Sequence, residues 1–149
     1  MNPGMASDLL SVRDELDIQR VITDYAYACD NGDWALLKSV FADDAYLDYS
    51  STGGPTGSRG EVVAWLEQSL GQVLGIQHVV SNFQIDLDQD RATVRAMFFT
   101  SVRLRGLDQP LMTGGYYDEE LLRTGGGWKI QRLVEDNRWM HPPTPEGEA

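Results

Sequence analysis

The spacing of apolar residues along this chain changes period once, near Gly75. Before that point apolar residues recur every three or four positions; after it they alternate or form short runs. Ile18, Val21, Ile22, Tyr25, Ala26 and Cys29 mark an amphipathic helix within about Ser7 to Cys29. "DNG" at 30–32 supplies its stop, and Asp33 is a natural N-cap for a short second helix that carries Trp34, Leu37, Val40 and Phe41 inward. "ADDAYLDYS" reads as a short strand and "STGGPTGSRG" as a mobile loop. A third helix from about Gly60 to Leu70 buries Val63, Trp65, Leu66 and Leu70. Beyond Gly75, "IQHVVSNFQIDLD", "RATVRAMFFTSVRL", "LMTGGYYDEELLR" and "GWKIQRLVED" are separated by "DQD", "GLDQP" and "TGGG", the pattern of an antiparallel meander. Three helices followed by one curled sheet predict an α+β fold. It would be a cone-shaped α+β barrel whose three N-terminal helices pack on a strongly curved, mostly antiparallel sheet enclosing a pocket.

At 149 residues and 42% hydrophobic, the chain fits one domain over 1–149, with its core at about 8–139 and a Pro-rich, acidic tail at 140–149 expected to be flexible. A formal charge of -11 would repel phosphate backbones and anionic lipid, so nucleic-acid and membrane-surface roles are excluded. No basic-then-apolar leader opens the sequence, and no apolar run approaches the roughly 20 residues of a membrane span, so a cytoplasmic location is expected. The single cysteine, Cys29, allows no internal disulfide or thiolate cage. With His78 and His141 the only imidazoles, no metal site is expected.

Positions 18, 22, 26 and 30 form one row on the first helix, so Ile18, Ile22 and Ala26 lead along the core-facing stripe to Asp30. A carboxylate there, at the negative end of the helix dipole, needs a partner. The other reading ends the helix before Asp30 and leaves a solvated Asx turn with Gly32. His78 is the candidate partner, because it shares strand parity with Ile76 and Val80 and so should face the cone's interior. It is either a hydrogen-bonded core histidine or a base. An imidazole whose tautomer is fixed by a buried carboxylate can take a proton from carbon.

"YACDNGDWALLKSVFADDAYLDYSS", "IQHVVSN" and "GGWKIQRLVEDNRW" resemble scytalone dehydratase, and the chain is similar to bile-acid 7α-dehydratase and hexachlorocyclohexane dehydrochlorinase. All belong to the SnoaL-like branch of the nuclear transport factor 2-like superfamily, and the resemblance covers about residues 12 to 139. It implies Asp30 and His78 as a catalytic dyad, Tyr49 as a donor to the substrate carbonyl, and Tyr25 as a second catalytic tyrosine. Spacing alone sets Tyr25 and Asp30 about 140° apart on an ideal helix. Leu47, Cys29, Arg132 and Trp139 are expected to contact substrate, with Cys29 packing and not acting as a nucleophile. Departures from scytalone dehydratase point to a different substrate. Cys29 replaces a tyrosine, a second histidine is missing near Ser101 to Arg103, and Asp118 and Glu120 stand where a serine and an asparagine are expected.

Together these features imply a cofactor-free lyase of dehydratase type, acting on a small, mostly apolar, cyclic ketone or related molecule. A polyketide cyclase or a ketosteroid-isomerase-like isomerase is the enzymatic alternative, because proton abstraction beside a carbonyl is common to all three. A non-catalytic ligand-binding or subunit-type fold-mate is the other. Association as a homo-oligomer, a trimer or dimer, is expected through the back of the sheet, with Val94, Phe98 and Val102 as exposed apolar candidates.

Overall fold

The computed structural model of the protein describes residues 3–141. In chain order the elements are α1 (Pro3–Asn31), α2 (Trp34–Val40), β1 (Phe41–Asp48), a 3-10 turn (Ser50–Thr52), β2 (Thr56–Ser58), α3 (Arg59–Leu70), β3 (Gly75–Asp88), β4 (Arg91–Arg103), β5 (Leu111–Thr124) and β6 (Gly127–His141). The strands form one curved sheet in the order β2-β1-β6-β5-β4-β3. β1 runs parallel to β6, and all other neighbours are antiparallel. The sheet is open, so the expected barrel does not close: β2 is only three residues long, and both it and β3 remain edges. α1 packs against β3, which places a helix beside that edge.

Ile18 and Ile22 are fully enclosed, and Ala26 is 7% exposed, so the predicted row is the helix's core face. The N-terminal part of α1 has a different environment, with Met5, Leu9, Leu10, Val12 and Leu16 all exposed. Asp14 marks where the helix meets the body. It accepts two 2.7 Å hydrogen bonds from the Arg123 guanidinium and one of 3.1 Å from Trp128 Nε1. The Arg123 bonds hold the Asp14 carboxyl below its usual range. Asp33 caps α2 by accepting from the Leu36 amide.

Three expectations are corrected. The segment "STGGPTGSRG" is not an open loop, since it forms the 3-10 turn, β2 and the capping box of Ser58 and Glu61 that starts α3. At Gly54 a Cβ would lie 2.8 Å from both Trp65 and Tyr49, so glycine there permits close packing against those rings. Met140 and His141 belong to β6, and the remainder of the expected tail lies outside the described residues. Val94 and Phe98 are buried in the core, and Val102 faces the interior cavity, so none belongs to the back of the sheet. The run "AMFF" hides the parity of β4, but Arg91, Thr93 and Arg95 reveal it: odd positions face out. Val79, Phe99 and Trp139 are the exposed outer-face residues, with Phe99 and Trp139 in ring contact at 5.9 Å.

On β5 the same alternation turns Glu119 inward, between Tyr117 and Leu121. Neither carboxyl oxygen has a hydrogen-bond partner, and burial pushes the group up to about 8. A carboxyl whose folded value is raised stabilises most below its unfolded value near 4.5, and that contribution is lost as pH rises through about 8. Glu119→Leu should therefore raise the free energy of unfolding more at pH 9 than at pH 5, by a difference on the order of 4 kcal/mol. Equal gains at the two pH values, measured by calorimetry, would contradict this.

Candidate active site

The C-terminus of α1 is fixed by a Schellman turn. The Asp33 amide donates to the Ala28 carbonyl at 2.9 Å and the Gly32 amide to the Cys29 carbonyl at 3.4 Å, with Gly32 at φ +66°. The helix thus runs through Asp30, and the reading that ends it earlier is set aside. Asp30 faces the first half of β3. One of its oxygens lies 2.6 Å from His78 Nδ1, and both accept from the His78 backbone amide, at 3.1 and 3.0 Å. The His78 side chain is 7% exposed and that of Asp30 20%. A carboxylate against Nδ1 selects the tautomer with the proton on Nδ1 and leaves Nε2 as the acceptor.

His78 opens into a cavity of about 250 Å³, small for a ligand pocket. Trp65, Leu66, Leu70, Ile76, Val102 and Leu111 form its apolar walls, and Tyr25, Tyr49, Thr52, Thr100, Tyr117 and Glu135 supply polar atoms. The Tyr25 and Tyr49 hydroxyls are 2.7 Å apart. The Tyr25 ring meets His78 edge-on at 6.4 Å and Tyr117 at 5.4 Å. Burial raises all three tyrosines well above the usual phenol range, so they remain hydrogen-bond donors. The Cys29 thiol also lines the cavity and is pushed up to about 12 by burial, which suits packing and not nucleophilic attack.

The fold brings Asp30, His78, Tyr25, Tyr49 and Cys29 together. Despite their angular separation on α1, Tyr25 and Asp30 both reach His78 on β3, one edge-on through its ring and the other through its carboxylate. Leu47, Arg132 and Trp139 do not line the cavity. Leu47 is fully enclosed in the core. Arg132 is exposed on β6, with its guanidinium 6.0 Å from the Tyr46 ring centre, and Trp139 is on the outer face against Phe99. Asp118 and Glu120 also point away from the interior: Asp118 pairs with Arg95, and Glu120 is exposed. Sequence reading missed Tyr117 and Glu135. Tyr117 shares parity with Leu121, an available signal. Glu135 lies beyond the parity of Trp128 and Ile130 because the β5–β6 register shifts at Glu120/Leu121. Among the described residues no group of three or more His, Cys, Asp or Glu side chains converges as a metal site would require.

Residues 11–134 match the family model of the SnoaL-like domain. The chain belongs to that family. It is 37% identical over 125 residues to uncharacterized proteins of Mycobacterium tuberculosis and Mycobacterium bovis, covering 83% of this chain and 85% of each relative. Among solved structures, it is similar to a candidate scytalone dehydratase from Novosphingobium aromaticivorans, with a TM-score of 0.78 and 21% identity over 97% of this chain and 99% of that one. It is also similar to a hexachlorocyclohexane dehydrochlorinase from Novosphingobium barchaimii, with a TM-score of 0.80 and 19% identity over 95% and 97% of the two chains. At these identities the structural likenesses speak to the SnoaL-like fold alone.

The Asp30 bond can be tested without a substrate. At a pH where the ring is neutral, nitrogen-15 spectra of His78 should show one tautomer, protonated at Nδ1, and Asp30→Ala should release it to a mixture of both. A His78 ring that is already mixed in the unaltered protein would contradict the geometry.

Proposed function

We propose that this SnoaL-like protein is a cofactor-free lyase that eliminates water from a small, mostly apolar cyclic ketone. The observation that carries this reading is the 2.6 Å contact between Asp30 and His78 Nδ1 at the wall of an interior cavity. His78 Nε2 takes the proton from the carbon beside the carbonyl, and Asp30 holds the ring and stabilises the imidazolium that forms. Negative charge moves to the carbonyl oxygen, where the Tyr49 and Tyr25 hydroxyls act as donors in a site that excludes bulk water. The enolate pair then forms the Cα–Cβ double bond as the Cβ–O bond breaks, and the hydroxyl departs as water with a proton supplied within the site, leaving a conjugated product. Elimination, over other uses of the same enolate, is taken by analogy from the candidate scytalone dehydratase and the dehydrochlorinase that share the fold.

On any cyclic hydroxyketone that the protein turns over, His78→Ala should lower kcat by about 10³-fold or more, and Asp30→Asn should be similarly crippled. The double variant should be little worse than either, because residues acting as one unit are not additive. Tyr49→Phe should lose about 10- to 1000-fold. Absorbance of the conjugated product provides the assay. Near-normal turnover by a folded His78→Ala protein would remove the proton-abstraction mechanism.

We also propose that the protein associates with itself through the outer face that carries Val79, Phe99 and Trp139. Sedimentation at micromolar concentration should show a dimer or trimer, and Phe99→Asp with Trp139→Asp should shift it to monomer. A monomeric unaltered protein would contradict this.

A further inference from the structure

Glu135 is a second acid-base group in the cavity that the dyad does not use. It lies on β6, three strands from His78 in the sheet order, yet both side chains line the same cavity. Cross-strand from it on β5 is Tyr117, one of the cavity tyrosines. Its Oε1 accepts a 2.6 Å hydrogen bond from Thr52 Oγ1 and a longer one, 3.5 Å, from Ser51 Oγ. The Ser51 hydroxyl in turn accepts from the Asn137 amide, so the 3-10 turn is tied to β6 around this carboxyl. Among the described residues only Oε1 accepts such bonds, which leaves Oε2 as the oxygen available to a ligand.

We propose that Glu135 is the general acid of this site: as a carboxylic acid it protonates the leaving hydroxyl of a β-hydroxy ketone, while His78 serves only as the base. The proposal rests on the reading of His78 as the base, and it narrows the substrate to a ketone with a poor oxygen leaving group on the β-carbon. His78 Nε2 gains the α-proton, and the C–H electron pair forms the enolate. The enolate pair then forms the Cα–Cβ double bond as the Cβ–O bond breaks. The Glu135 proton joins the departing oxygen, giving an enone and water. The protein is left as imidazolium and carboxylate, and proton transfer from His78 to Glu135 through solvent restores the starting state.

The surroundings of Glu135 suit that role. Burial raises its carboxyl above the ordinary range, and Asp48 at the end of β1 raises it further. The Thr52 and Ser51 hydrogen bonds act in the opposite direction, as a protonated His78 would. The other titratable groups facing it, Tyr49 and Tyr117, stay neutral. A carboxyl raised by burial, lining the same cavity as the imidazole that serves as base, is the pairing that acid-assisted elimination requires.

Three probes separate the roles: 3-hydroxycyclohexanone, 3-acetoxycyclohexanone and cyclohexanone in deuterium oxide. Acetate departs without protonation, and deuterium exchange at the α-carbon has no leaving group at all. Glu135→Gln should slow dehydration of the hydroxyketone by about 100-fold or more, while acetate loss and exchange change by less than about fivefold. His78→Ala should abolish all three. Thr52→Val removes a bond that favours the carboxylate, so dehydration should persist to higher pH than in the unaltered protein. This second variant also covers the case in which Glu135→Gln fails to fold. Hydroxyketone dehydration that is unaffected by Glu135→Gln, or absent while exchange proceeds, would overturn the role of Glu135 and leave His78 as the base. An unaltered Thr52→Val pH limb would do the same. Exchange that does not depend on His78 would overturn the underlying reading as well.

Discussion

The Asp30 carboxylate joins the end of α1 to an edge of the sheet, and the cavity depends on that joint. β3 has β4 on one side only, so part of its backbone would otherwise face outward unpaired. Asp30 accepts the His78 amide with both oxygens and the His78 ring with one. Charge-assisted bonds of this kind are roughly twice as strong as neutral ones. One carboxylate therefore satisfies a strand edge, fixes a helix end and orients an imidazole. A purely structural residue could do the first two; only the third leaves Nε2 free toward the cavity.

Burial then determines the chemistry of the other polar groups. Three buried tyrosines line the cavity, two of them with hydroxyls 2.7 Å apart, and desolvation makes their ionisation harder. They are therefore suited to donating hydrogen bonds to an oxygen that gains negative charge, and poorly suited to acting as bases. The same desolvation keeps Cys29 protonated. The apolar walls from α3, β3 and β4 strengthen any interaction with a developing charge, because the surrounding dielectric is low. Gly54 lets the 3-10 turn sit against Tyr49 and Trp65, closing one side of the space.

Much of this arrangement is legible in the sequence, because period and punctuation are local properties. The Ile18, Ile22, Ala26, Asp30 row, the Gly32 stop and the Asp33 cap lie within one stretch, and each keeps its expected role. The parity of Ile76, His78 and Val80 holds because the bulge in β3 comes later, between Ser81 and Gln84, where Asn82 adopts φ +53°. Long-range register is harder to read. In β4 a run of apolar residues masks which face is inward, so the pattern points Phe98 outward whereas Phe99 takes that place. Glu135 enters the cavity only because a register shift in β6 changes its side, and no local pattern announces that shift. Leu47 illustrates another limit, since an inward-facing residue can pack in the core without reaching the cavity.

The central claim is that His78 Nε2 is aimed at a carbon beside a carbonyl held by the tyrosines. A crystal structure with a cyclic ketone or a phenolic mimic of its enolate soaked into the cavity tests it most directly. The ligand oxygen should lie within hydrogen-bonding distance of the Tyr49 or Tyr25 hydroxyl, with the adjacent carbon about 3 to 3.5 Å from His78 Nε2. A ligand that fills the cavity with its oxygen turned away from both tyrosines, and no carbon near Nε2, would contradict the account.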